Sequence, residues 1–289
     1  MTTSDRADFI DTPSSRPVKD NGGAAALRWS AKALVAVAWI SAAIFGLYIM
    51  AYYLGAAYQG APDQWNAKLP RLYNPDSVLG TIGIGAHFAT GAIVLLLGPV
   101  QLIGAVRRRA PRLHRWIGRL YASAALLTGL GGLSFIALEG TIGGAPMSLG
   151  FGLYGALMVI AAVMTVWRAR QGRFDEHRAW AIRLFALAIG SWLYRMDYGF
   201  WHMIAHAAGH TRSFDGPFDF VMFFFFYIPN LIIAEAFIRA RQPRASSPAK
   251  IGAAILLNCA TVFLAIATYY FATSYWGPAI VNRIVGASS

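Results

Sequence analysis

The stretch RRRAPRLHRWIGRLY, residues 107–121, places six arginines and one histidine between two long apolar segments. Those segments, about 79–103 and 116–138, are each long enough to cross roughly 30 Å of hydrocarbon, because a helix rises about 1.5 Å per residue. Of the 289 residues, 57% are hydrophobic and only 13% are charged, about half the charged share of a soluble domain. The sequence therefore predicts an all-α integral membrane protein that contacts the lipid bilayer.

Seven apolar segments qualify as membrane spans: about 33–57, 79–103, 116–138, 149–167, 180–203, 218–238 and 251–272. The connections on one side, together with the N-terminal tail, hold 20 of the 25 Lys and Arg residues. By the positive-inside rule this side is cytoplasmic. We therefore predict a polytopic transmembrane helical bundle of seven spans, with the N-terminus in the cytoplasm and the C-terminus outside.

The chain divides into three parts. Residues 1–28 mix Asp, Ser, Pro and Gly without periodicity, which predicts a disordered cytoplasmic tail. Residues 29–272 form the transmembrane bundle, and residues 273–289 form an outer tail. Because acidic residues precede the first apolar segment, that segment is predicted to be an uncleaved anchor rather than a signal peptide.

Composition also excludes several classes of function. The net charge of +12 comes from basic residues separated by apolar segments, so they form no continuous stripe of the kind that binds nucleic acid. Cys259 is the single cysteine, which excludes an internal disulfide and covalent c-type haem.

Four histidines lie on predicted span faces at two depths. In the fifth span, a helical stripe joins His177, Arg195 and His202. His114 begins the third span at the arginine-rich end, level with His177, whereas His87 in the second span is level with His202. Glycines around His87, at 80, 83, 91 and 98, are explained most simply by close packing of another helix.

Paired imidazoles on separate membrane helices are the axial ligands of b-type haem. The two depths therefore predict two haems, one held by His114 and His177 and the other by His87 and His202, with Arg115 and Arg119 as propionate partners. Arg195, buried in a span, requires a partner from another span or a bound anionic group. The alternative for each histidine is an interfacial side chain that hydrogen-bonds a backbone carbonyl, and His206 and His210 are predicted to be solvated.

Four segments, AHFATGAIVLLLGPVQL, PRLHRWIGRLY, DEHRAWAIRLFAL and NLIIAEAFI, resemble a bacterial family of predicted membrane proteins of unknown function. That family is similar to the two-haem membrane cytochromes of the b561 and ferric-reductase group. The resemblance covers about residues 79–240 and implies a bacterial inner-membrane location without a specific reaction. It singles out His87, Gln101, His114, Arg115, Gly118, Arg119, Tyr121, His177, Arg178, Trp180, Arg183, Arg195, Asn230 and Glu235.

Three functions follow as alternatives. The first is an electron carrier that binds haem b and takes electrons from a quinol or a cytoplasmic redox partner. The second is a transporter or a lipid- or isoprenoid-binding protein with Arg195 in its pocket. Against a transporter we count the absence of a Pro-broken or Gly-broken pair of helices with a detectable inverted repeat. The third is a structural subunit whose cationic face docks a partner. In each case Glu235 is predicted to pair with a cytoplasmic arginine such as Arg183.

Overall fold

A computed structural model describes residues 21–67 and 72–285, which are helical without any strand, so the all-α prediction is confirmed. The helices are α1 (Asn21–Ile49), α2 (Gly55–Tyr58), α3 (Val78–Leu102), α4 (Gly104–Arg109), α5 (Pro111–Glu139), α6 (Gly144–Arg170), α7 (Phe174–Ala188), α8 (Gly190–Ala205), α9 (Pro217–Phe225), α10 (Ile228–Ala240), α11 (Ser247–Phe271) and α12 (Gly277–Val285). π-Helical turns follow α1 at Met50–Leu54 and α11 at Ala272–Trp276.

Within the described ranges, six helical segments are long and apolar enough to cross a membrane. They are Gly22–Tyr58, Val78–Leu102, Pro111–Glu139, Gly144–Arg170, Pro217–Ala240 and Ser247–Arg283. In place of the fifth predicted span the structure has α7 and α8, of 15 and 16 residues, each shorter than the roughly 20 residues that a crossing needs.

Two helical segments are interrupted, one between α7 and α8 and one between α9 and α10; the inverted repeat that our argument about a transporter also required stays untested. The break between α7 and α8 lies at Ile189, where the Tyr154 hydroxyl donates to the Leu187 carbonyl at 2.7 Å and competes for the bond that continues a helix. The break between α9 and α10 precedes Pro229, which has no N–H to donate. A Cβ on Gly190 would lie 3.5 Å from the Phe226 ring, so the two breaks lie side by side.

Both ends of the bundle differ from the predicted tails. Helix α1 already begins at Asn21, so residues 21–28 of the predicted disordered tail are helical, because the alanines at 24–26 favour a helix. Residues 1–20 lie outside the described residues. At the other end, residues 273–285 continue as the π-helical turn and α12.

Close approach between helices positions the bundle. A Cβ on Gly83 would lie 3.2 Å from the Gly131 carbonyl oxygen, which confirms that these glycines allow α3 and α5 to pack tightly. Helices α1 and α11 form a second pair, joined by a buried hydrogen bond of 2.6 Å between the hydroxyls of Thr268 and Ser41.

Candidate functional site

A cavity of about 2400 Å³ lies between the α1–α11 pair and the helices α3, α5, α7, α8 and α10. Its wall is mostly apolar and includes Phe185, Phe200, Phe237 and Phe263. At the arginine-rich end of the bundle the lining residues are cationic, and they include Arg28, Lys32, Arg107, Arg108, Arg115, Arg119, Arg170, Arg178, Arg241 and Lys250. Asp197 is the one acidic residue that lines the cavity among the described residues. The cavity therefore has an apolar body and a cationic end.

The structure brings His114 and His177 together in this cavity. Each is the fourth residue of its helix, and their side chains are close enough to interact electrostatically. His177 Nδ1 lies 2.9 Å from the Thr165 carbonyl oxygen. Because a carbonyl can only accept, Nδ1 carries a proton, so Nε2 is the ring nitrogen that can accept a hydrogen bond or bind a metal when the ring is neutral.

Three residues that line the cavity have a buried polar atom without a hydrogen-bond partner among the described residues. These atoms are Gln101 Nε2, His114 Nδ1 and Tyr121 Oη. A Cβ on Gly118 would lie 3.0 Å from Gln101 Oε1, so the glycine allows the amide to approach α5. An unpaired buried polar atom costs about 1–3 kcal/mol, so this wall of the cavity is less well satisfied than a packed interior.

The outer pair is not brought together in the same way. His87 Nδ1 lies 2.9 Å from the Thr128 carbonyl oxygen, and its ring borders a separate cavity of about 30 Å³. That space holds little more than one or two water molecules. His202 is exposed and lines neither cavity. A haem therefore does not fit between His87 and His202.

Arg195 lines the small cavity with His87 rather than the large one. Its Nη1 donates to the Ser191 carbonyl at 2.8 Å, and its guanidinium lies 5.4 Å from the centre of the Phe45 ring. In the part of the chain that the structure describes, no carboxylate lies within 4 Å of it. The partner from another span is thus an aromatic ring on α1, through a cation–π contact.

The predicted pairing of Glu235 is confirmed. Arg183 Nη2 donates to Glu235 Oε2 at 2.7 Å, and Arg239 Nε donates to Oε1 at 3.0 Å. Since Arg183 belongs to α7 and Glu235 to α10, this ion pair fixes two walls of the cavity relative to each other.

Sequence reasoning missed one buried polar group. Asp219 is fully buried and accepts from the Tyr198 hydroxyl and His210 Nδ1, both at 2.7 Å. The prediction of a solvated His210 is therefore wrong. The signal was available in Gly216-Pro217, which starts a helix and places Asp219 where its carboxylate accepts from the Gly216 N–H at 3.0 Å.

Residues 84–238 match the predicted membrane protein family DUF2306. No curated protein and no solved structure matches the chain. The matched segment runs from α3 to α10 and includes His114 and His177, whereas α1 and α11, which form the opposite wall of the large cavity, lie outside it.

Proposed function

The chain belongs to the predicted membrane protein family DUF2306, a family of unknown function, and we propose that it binds an amphipathic anion in the large cavity. The observation that carries this proposal is the combination of an apolar wall with a cationic end in one space of about 2400 Å³. Apolar surface favours the body of such a ligand, and cations in a low-dielectric site favour its acidic group.

The polar atoms at the cationic end support the same ligand. His177 Nε2 accepts a hydrogen bond, whereas the Gln101 amide donates. A ligand with a hydroxyl beside its acidic group can donate to Nε2 and accept from the amide. The cationic side chains of this end, among them Arg115 and Arg119, compensate the negative charge of the acidic group.

The cavity lies beside the breaks between α7 and α8 and between α9 and α10. Ile189 at the first break and Phe226 at the second both line it, and Asn230 Nδ2 donates to the Phe226 carbonyl at 2.7 Å. Discontinuous helices at mid-membrane depth commonly form ligand sites in transporters. This arrangement supports binding or transport as the function more than a purely structural role.

We further propose that α7 and α8 together form a seventh crossing. An odd number of crossings places the N-terminus in the cytoplasm and the C-terminus outside, with the arginine-rich end in the cytoplasm as the positive-inside rule requires. In a bacterium the protein then resides in the inner membrane.

The test is the content of the cavity in protein purified with native lipids. We expect native mass spectrometry to find one tightly held acidic amphiphile per chain. Ala181 lines the cavity, so Ala181→Phe should displace the ligand. The control is Ala265→Phe at an exposed position of α11 outside the cavity. The proposal fails if the purified protein holds no acidic amphiphile, or if both variants retain it equally.

Haem b is a second candidate, because a haem is itself an amphipathic anion with two carboxylates. The specific observation in its favour is that His114 and His177 line one cavity, and that the Nδ1–H of His177 donates to Thr165. A hydrogen bond from the ring nitrogen that does not bind the metal fixes the orientation of a metal-binding imidazole. Since these two histidines are the predicted pair that shares one large cavity, we propose a single haem there, with Arg115 and Arg119 as the residues that would hold its propionates. When bound, the haem would supply one-electron transfer, with quinol as the proposed donor.

Absorption spectroscopy separates the two candidates. A haem protein shows a Soret band that His114→Ala and His177→Ala abolish and that His202→Ala retains. Protein that lacks this band even after haem supplementation, and that still holds an acidic lipid, eliminates the haem and keeps the amphiphile.

A further inference from the structure

We propose that the acidic group is the phosphate of an anionic phospholipid, bound by Arg107, Arg178 and Arg241. This inference rests on the proposed function and names its ligand. Arg107 lies in α4, Arg178 lies in α7, and Arg241 directly follows α10. All three line the cationic end of the cavity. Three separate segments thus converge on one position.

The charge of this arginine cluster is not balanced by ion pairs with other described residues. No carboxylate lies within 4 Å of any of its three guanidinium groups among residues 21–67 and 72–285. Partial burial, followed by the charge of Arg107, lowers the pKa of Arg178. Partial burial, followed by the charge of Arg178, lowers the pKa of Arg241. These cations repel one another, so an anion between them is stabilised by all three.

Neighbouring arginines at the same end have protein partners. Arg168 and Arg173 both pair with Glu176. Arg183 and Arg239 both pair with Glu235. Those two glutamates are therefore already engaged, and among the described residues Asp175 is the remaining acidic group that acts on the arginine cluster. One aspartate against three arginines leaves two positive charges for a ligand.

Phosphate is the anionic group that suits this cluster best. Its oxygens accept from several guanidinium groups at once, and the planar fork of each guanidinium matches them. The apolar wall continues from the cluster past Phe237, Ile233 and Leu257, where acyl chains can pack. A phospholipid uses both parts of the site, and basic pockets between membrane helices bind such headgroups in this way.

The test compares two triple variants with the same change of charge in nanodiscs that contain phosphatidylglycerol or phosphatidylcholine. The first variant removes the cluster through Arg107→Gln, Arg178→Gln and Arg241→Gln. The control removes three exposed arginines of the same end that do not line the cavity, through Arg109→Gln, Arg112→Gln and Arg244→Gln.

We expect wild type and the control to retain phosphatidylglycerol in native mass spectrometry and the cluster variant to lose about tenfold or more in affinity. Phosphatidylcholine should bind weakly throughout, and inorganic phosphate should fail to displace the lipid. Equal retention by both triple variants, or displacement by inorganic phosphate alone, overturns the inference.

Other outcomes separate this inference from the proposed function. A bound isoprenoid phosphate or haem that Ala181→Phe displaces overturns the phospholipid and leaves the proposed function standing. Absence of every acidic amphiphile from wild-type protein overturns both.

Discussion

The two ends of the bundle are built differently. Opposite the arginines, α1, α3, α8 and α11 meet in a dense aromatic cluster, in which the Trp276 ring lies 5.2 Å from Phe45 and 5.0 Å from Phe271, and Tyr53 lies 4.4 Å from Phe88. At the arginine-rich end, α1 and α11 contact α10 through a small cluster of Leu27, Ala240, Ala253 and Leu257. Between the two clusters lies the large cavity.

This difference suggests that the aromatic end stabilises the fold and that the arginine-rich end serves the proposed binding. Dense packing at the aromatic end holds the helices together, because dispersion between close-packed groups drives association in lipid. The arginine-rich end forgoes that packing and leaves polar atoms such as Gln101 Nε2 unpaired. The following predictions test whether this division of roles is real.

The largest expected effect separates two phenylalanines. Phe271 is buried in the aromatic cluster, whereas Phe237 is partly exposed beside the cavity. We expect Phe271→Ala to lower the free energy of unfolding by about 3–5 kcal/mol and Phe237→Ala to lower it by less than half as much, because the second site already borders empty space. Thermal unfolding in one detergent measures both. Equal losses would show that the ends do not differ in stability.

The next prediction tests the ion pair that holds α7 against α10 at the arginine-rich end. Glu235→Gln removes the carboxylate that joins Arg183 to α10, in a pair whose side chains are 28% and 33% exposed. We expect a loss of about 1–2 kcal/mol, between the values for surface and buried pairs. Arg239→Gln is the control, since that side chain is 76% exposed and should cost under about 0.5 kcal/mol. Chemical denaturation measures both, and a similar loss in both variants contradicts the prediction.

A smaller, local effect is expected with pH in the loop between α8 and α9. Hydrogen bonds from the Thr211 and Ser213 hydroxyls lower the pKa of Asp215 below its ordinary value of 3.8. A lowered carboxylate pKa stabilises the folded loop above about pH 4, and this contribution is lost as the pH falls through the folded-state value. Hydrogen exchange of residues 211–216, corrected for intrinsic rates, should show the loop opening in acid. Thr211→Ala should open it at higher pH, and an unchanged profile contradicts this.

The smallest expected effect concerns the separation of the two cavities. Arg195 lines only the small cavity, so Arg195→Met should leave retention of the acidic ligand within about twofold of wild type. Native mass spectrometry of the purified variant measures this retention. Loss of the ligand would show that the cavities act as one site.

Sequence patterns predicted what depends on neighbours along one helix or on charge. The Arg-rich connections and apolar segments located the membrane helices, and the glycine spacing around Gly83 predicted the close approach of α3 and α5. Glu235 and Arg183 could be paired because a charge at a span end needs a partner. His114 and His177 could be grouped because both were predicted to lie at the same depth, and both line the large cavity.

The rest depended on contacts that a single helix does not encode. The break at Ile189 lies beside a hydroxyl on another helix, Tyr154, and His202 is exposed and lines neither cavity. The cavity is a space between α1, α11 and the helices of the segment that matches the family. The sequence pattern of a single helix does not give the distance between helices.

The bond between Ser41 and Thr268 joins residues 227 positions apart, which has a consequence for biogenesis. During synthesis the membrane receives α1 first and α11 last among the long helices. Until α11 inserts, the groove that later becomes the cavity faces the bilayer along one side. Under the proposed function, a lipid can enter this groove laterally before α11 inserts beside α1.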